Sequence, residues 1–149
     1  MTKTKESTER FYFKQRNVYG NDYFEVYDRG QKITAKDPTV IKLNLPAPPH
    51  SRKAARLFVA ELNRDPKVVP GARVRLAGGV ANFGASEPDE LHRVTADRYS
   101  AGDEGVLAFP HPNQEPDGCA GWWYVAVDSK TGPARKLYVG VWPGGFVLL

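Results

Sequence analysis

Proline and glycine punctuate this chain so closely, with twelve of one and fourteen of the other, that many turns and short strands are expected and a helical bundle is not. Proline cannot donate to a ladder and fixes its own φ, and glycine admits positive φ, so each marks a place where an element ends or bends. Between these marks the apolar residues mostly alternate with polar ones, the period of a strand with one face buried.

Phe11 to Tyr19 has strand composition. Gly20-Asn21-Asp22 is a turn signal, Tyr23 to Tyr27 a second strand, and the two read as a hairpin. Thr39 to Leu45 is expected as a third strand with Ile41, Leu43 and Leu45 inward. Pro46, Pro48 and Pro49 stop that sheet, and Ser51 is placed to cap a helix. From Arg52 to Asn63 the residues Ala55, Phe58, Val59 and Leu62 repeat with helical spacing, and Pro66 closes the run. One amphipathic helix across three strands can bury a common face. A second unit begins at Pro70-Gly71, with strands expected at 72–76, from the 102–107 turn onward, at 122–128, at 137–142 and at 146–149. The stretch 77–101, rich in Gly, Ala and acidic residues, is expected to be irregular. The fold class is therefore α+β, mostly β: a ββ(β)α module over residues 10–67, then a five-stranded barrel over 68–149.

The second unit resembles the SH3-like small barrels, including those with a KOW motif. The residues that carry the likeness are Pro70-Gly71 leading to Val74-Arg75-Leu76, then Gly102-Asp103-Glu104-Gly105-Val106. Tyr124 to Asp128 follows, and the chain ends in Phe146-Val147-Leu148-Leu149. The interval from Leu76 to Gly102 is longer than the usual loop of that family. The resemblance implies a barrel closed by its terminal strand, of a kind that binds nucleic acids, peptides or larger protein complexes. The first unit is similar in layout to the small DNA-binding sheet-and-helix modules of recombinases and phage proteins.

Charge divides along the same line. Residues 1–69 carry 14 Lys and Arg against 8 Asp and Glu, and residues 70–149 carry 7 against 9. A polyanion would be drawn to the first half. There, Tyr12, Lys14, Arg16 and Val18 would share one face of the first strand, and Phe11, Phe13, Gln15 and Tyr19 the other. Bases stack on aromatic rings and phosphates pair with Lys and Arg, so such a face suits nucleic acid; the alternative is a core of Phe11 and Phe13 beneath a wet charged face. Arg52, Lys53 and Arg56 crowd the first turns of the helix, where its dipole disfavours cations by roughly 0.3–1 kcal/mol each. They are placed for an anionic partner or form a solvated basic face. Nucleic-acid binding through Lys14, Arg16, Arg52, Lys53 and Arg56 is the leading expectation.

A competing expectation is a small accessory or inhibitory factor, of the sort found in phage and mobile elements, that docks on a larger protein complex. Alternation in the second unit separates Trp123, Val125 and Val127 from Trp122, Tyr124 and Ala126, and Leu137, Val139 and Val141 from Tyr138 and Trp142. If the first sets are core, Trp122, Tyr124, Tyr138 and Trp142 share an outer surface able to anchor a partner. The other possibility is that the 77–101 segment folds over them.

Catalysis is not expected. His50, His92, His111 and Cys119 form no familiar ligand spacing, and the nearest cluster, His111, Glu115, Asp117 and Cys119, is a poor donor set in a loop rich in Pro and Gly. Gly71, Gly78 and Gly79 make no dinucleotide fingerprint, and no nucleophile elbow or phosphate loop is present. Neither cofactor nor metal is expected. The polar residues Met1 to Arg10 lack a signal peptide's apolar stretch, and no apolar run approaches the roughly 20 residues that span a bilayer. One cysteine allows no internal disulfide. These features lead to the expectation of a cytoplasmic protein with no membrane partner.

Overall fold

The computed structural model describes residues 9–29, 41–77, 83–132 and 134–149. They form strands and one helix arranged as two sheets. The first sheet has the order β1-β2-β3, with β1 at Phe11–Val18, β2 at Asn21–Asp28 and β3 at Ile41–Lys42. β1 and β2 pair antiparallel from Phe11 opposite Asp28 to Val18 opposite Asn21. The turn is Tyr19-Gly20, both at positive φ (53° and 79°), the hand that matches strand twist in a two-residue hairpin. It lies earlier than the expected Gly20-Asp22 turn, so Tyr19 sits at the hairpin tip and not on a strand face. β3 is shorter than expected, but Leu43 N–H continues the pairing to Val26 O at 2.8 Å. Leu43 and Leu45 pack against the core as expected. Residues 39 and 40 and the side chain of Ile41 lie outside the described residues.

Helix α1 spans Arg52–Arg64, and the Ser51 hydroxyl accepts the Ala54 N–H at 3.0 Å, the expected cap. Ala55, Phe58, Val59 and Leu62 are buried, as the spacing predicts. Burying Phe58 alone contributes roughly 1.5–3 kcal/mol over leaving it exposed. The carboxamide of Asn63 accepts the Phe11 N–H (3.0 Å) and donates to Phe11 O (2.9 Å), tying the end of α1 to the outer edge of β1.

The second sheet is larger than expected. Its order is β10-β4-β7-β8-β9-β5-β6, seven strands and not five, and it is open: no pairing joins β10 to β6 among the described residues. The expected strands are β4 (Arg73–Leu76), β7 (Glu104–Pro110), β8 (Trp123–Asp128), β9 (Lys136–Val141) and β10 (Phe146–Leu148). The added pair, β5 (Phe83–Glu87) and β6 (Glu90–Tyr99), lies inside the stretch expected to be irregular and is joined to the sheet through β5 on β9. The composition of β5, Phe-Gly-Ala-Ser-Glu, has almost none of the β-branched character of a strand, and β6 is a mostly exposed edge without an apolar face. Gly84 allows the pair to close: a Cβ there would meet Val94 Cγ1 at 2.5 Å.

The inner face of this sheet carries Leu107, Trp123, Val125, Val127, Leu137, Val139 and Val141, all buried. These side chains and those of Phe11, Val26, Phe58 and Leu62 belong to one continuous cluster, so apolar packing runs across the expected 67/68 boundary. A buried polar link crosses it too. Trp123 Nε1–H donates to Glu61 Oε2 at 2.9 Å, and Arg64 donates to both oxygens of the same carboxylate at 3.1–3.2 Å.

Candidate nucleic-acid interface

The register of β1 on β2 fixes which side chains share a face. Tyr12, Lys14 and Arg16 stand opposite Tyr27, Glu25 and Tyr23, and Tyr27 stands opposite Lys42 on β3. All lie on the face turned away from α1. The other set, Phe11, Phe13 and Gln15 with Phe24 and Val26, faces the helix; Phe11, Phe24 and Val26 are buried there. The outer face is therefore a small platform of tyrosines and cations, and the core beneath it is apolar.

Glu25 is the acidic residue of this platform, and cations hold it from both sides. Lys42 Nζ donates to its Oε2 at 2.8 Å, Arg16 Nε donates to its Oε1 at 2.8 Å, and Tyr27 O–H donates to that same oxygen at 2.8 Å. Those hydrogen bonds, Lys42's foremost, pull the Glu25 carboxyl down to about 2. The same contacts push Lys42 and Arg16 above their ordinary values. Around this clamp, the rings and cations lie on one another. Tyr12 and Tyr27 stack with centroids 5.4 Å apart, Lys14 Nζ lies 5.3 Å from the Tyr27 ring centre, and the Arg29 guanidinium lies 4.4 Å from that of Tyr12. Such contacts orient the cations along the face while leaving them in water, where a phosphate can reach them.

The five cations expected from sequence fall into two groups. Lys14 and Arg16 are exposed on the platform. Arg52, Lys53 and Arg56 project from α1, on the far side of the sheet. Arg52 reaches back over the edge of β1, donating to Gln15 Oε1 at 2.5 Å with its guanidinium 5.8 Å from the Phe13 ring. Lys53 pairs with Glu115 of the second unit at 3.4 Å. Arg56 lines a cleft of about 390 Å³ between α1 and β1. The platform also includes Lys42, Tyr23 and Tyr27, which sequence reasoning missed. Lys42 joins it only through the pairing of β3 on β2, a tertiary fact; Tyr23 and Tyr27 were legible from the alternation along β2.

The four aromatic residues expected on the outer surface of the second sheet are turned away from its inner face, but they are covered. Tyr124 is only 8% exposed, and Trp122, Tyr138 and Trp142 are half-buried. Tyr124 packs on Phe109 and stacks on His111 (centroids 5.2 and 5.5 Å apart), and Tyr138 meets Phe109 edge-on at 5.4 Å. Trp142 lies against Phe83 of β5 at 4.7 Å and against Trp122 at 6.3 Å. From the segment 77–101, Phe83 supplies part of the cover, over Trp142, while β5 itself joins the sheet beside β9.

The loop that holds His111, Glu115, Asp117 and Cys119 is folded by its own hydrogen bonds. Asn113 N–H donates to His111 Nδ1 at 3.0 Å, Gln114 Nε2 donates to His111 O and Trp122 O, and Gln114 Oε1 accepts from Gly121 N–H. Burial pushes the His111 imidazole below its ordinary value. Among the described residues, no three His, Cys, Asp or Glu side chains are grouped so as to hold a metal ion, and no helix is long and apolar enough to cross a membrane.

No protein-family model, curated protein or solved structure matches this chain.

Proposed function

We propose that this chain is a non-enzymatic nucleic-acid-binding protein that holds a duplex, mainly by its phosphate backbone, on the outer face of the β1-β2-β3 sheet. One observation carries the reading. That face gathers Lys14, Arg16, Arg29 and Lys42 among tyrosine rings, and its carboxylate, Glu25, is already neutralised between two of them. Among the described residues of this face, a phosphate meets cations without an unpaired carboxylate to repel it. Arg52 and Arg56 flank the β1 edge and extend the positive surface around it.

In the same reading, the second unit follows the strand plan of an SH3-like barrel, left open and enlarged by the β5-β6 hairpin, and serves as the scaffold on which α1 and the first sheet are mounted. The pairing of the last strand, β10, with the first strand of the unit, β4, supports that likeness. The lone cysteine fits a cytoplasmic setting. Docking on a protein complex through Trp122, Tyr124, Tyr138 and Trp142 has less support, because those rings already pack on neighbours.

The experiment is a fluorescence-anisotropy titration of labelled DNA and RNA duplexes at low salt. A complex is expected whose affinity falls steeply with salt and which weakens in the Lys14→Ala/Arg16→Ala variant. Absence of any complex at low salt rules the function out.

A further inference from the structure

Tyr19 is the one non-glycine residue at positive φ among the described residues, and its side chain is 99% exposed. In that left-handed region Cβ crowds the following carbonyl oxygen, so Gly, Asn or Asp normally takes the position in a tight hairpin turn. A tyrosine is locally unfavourable there, and no burial offsets it: among the described residues its ring touches neither another ring nor a cation. An unfavourable residue held in full exposure points to a task outside the fold.

The surroundings indicate which task. Tyr19 stands at the tip of the hairpin, just past the last β1-β2 pair; the exposed Val18 precedes it, and the exposed Tyr23 lies farther down the platform, opposite Arg16. The rings of Tyr12 and Tyr27 face each other, Arg29 and Lys14, whereas both faces of the Tyr19 ring are open. Tyr19 lies three residue steps from Arg16, about 10 Å at the usual strand rise. That distance is close to three nucleotides of one DNA strand at about 3.4 Å each. A ring at this distance can lie on a base while Arg16 and Lys14 hold phosphates of the flanking duplex. In an intact duplex both faces of a base are already stacked, so the ring needs an unpaired one.

We propose that Tyr19 is a base-stacking residue and that the preferred ligand is a duplex interrupted by unpaired nucleotides. This rests on the nucleic-acid reading above and adds the ligand class to it.

The test uses the full chain and two labelled DNAs, one intact duplex and one of the same sequence with a two-nucleotide single-stranded gap containing 2-aminopurine. Wild type is expected to bind the gapped DNA roughly tenfold tighter, the lower end of what stacking on one base provides, and to quench the 2-aminopurine. Tyr19→Asn suits the left-handed turn and should melt at the same or a higher temperature. It should keep the affinity for intact duplex and lose both the preference and the quenching. Tyr19→Trp should retain both. Equal wild-type binding to the two DNAs, a preference that survives in Tyr19→Asn, or a uniform loss on both DNAs would each overturn the inference and leave the nucleic-acid reading standing. No complex with either DNA overturns that reading itself, and this inference with it.

Discussion

The two sheets use the same alternating strand pattern to opposite ends. In β1 only Phe11 is buried, and the outward set faces solvent as tyrosine, lysine and arginine. In β8, Trp123, Val125 and Val127 are buried on the inner face, and Tyr124 is buried on the outer one as well. Among the described residues, the first sheet therefore keeps one face largely exposed, whereas the centre of the second is covered on both sides. Amphipathic alternation says which residues lie together; what covers each set is decided by other parts of the chain. The tyrosines show this most plainly. Tyr23 on β2 is 38% exposed and Tyr124 on β8 is 8% exposed, although both stand on the side of their strand turned away from the main core.

The comparison can be broken most severely at Trp123, where the two regions meet. Trp123→Ala should destabilise the protein by about 3–5 kcal/mol, through lost packing and the loss of the indole hydrogen bond to Glu61, whose carboxylate keeps only Arg64. Because the cluster is continuous, thermal melting of the wild type should show one transition by both near-UV and far-UV circular dichroism. Two separable transitions would mean that the regions fold independently and that the shared core contributes little.

A matched pair of substitutions tests the faces. Tyr124→Ala should cost roughly 3 kcal/mol, since it empties a packed site against Phe109 and His111. Tyr23→Ala should stay within about 0.5 kcal/mol. Chemical denaturation of the two variants reads the difference directly, and equal losses would erase the distinction between a covered and an open face.

On the open face, Lys14→Ala/Arg16→Ala should leave the melting temperature nearly unchanged. It should lower the slope of log affinity against log salt by about 1.8, roughly 0.9 for each phosphate that the variant no longer neutralises. An unchanged slope would move the phosphate-binding cations elsewhere, with Arg52 and Arg56 the next to substitute.

The smallest effect is expected from Glu25. Its folded carboxyl titrates at about 2, below the ordinary 4.5, so its ion pairs stabilise the fold above pH 4.5. That contribution is lost as pH falls from about 4.5 toward 2. Glu25→Gln should remove this part of the acid dependence of the melting temperature. At neutral pH it should also strengthen duplex binding about twofold to threefold by freeing Arg16 and Lys42. Weaker binding would show instead that Glu25 is needed to orient those cations.

Some of this was legible in the sequence because it is local. The cap at Ser51, the spacing of Ala55, Phe58, Val59 and Leu62, and the alternation of β1, β8 and β9 depend on backbone geometry within a few residues. Lys14 and Arg16 could be assigned to one face on the same grounds. The β5-β6 hairpin was not legible. Its strands are held by pairing to β9, by Gly84 beneath Val94, and by Asp97, which accepts the N–H groups of Lys130 and Thr131 at 2.9 and 3.1 Å. A strand that owes its place to distant partners needs no apolar pattern of its own.

By itself, then, the sequence determined the mostly β character, the single capped helix, the inward and outward sets of the main strands and the basic bias of the first half, because each follows from local geometry or composition. The tertiary structure alone decided that Lys42 joins Arg16 around Glu25, that Arg52, Lys53 and Arg56 stand across the sheet from Lys14, that Tyr124 is covered while Tyr23 is not, and that Tyr19 stands exposed at the hairpin tip. The physical reason is that exposure and charge pairing depend on which surface comes to lie against which, and long-range packing sets that after the local pattern has been satisfied.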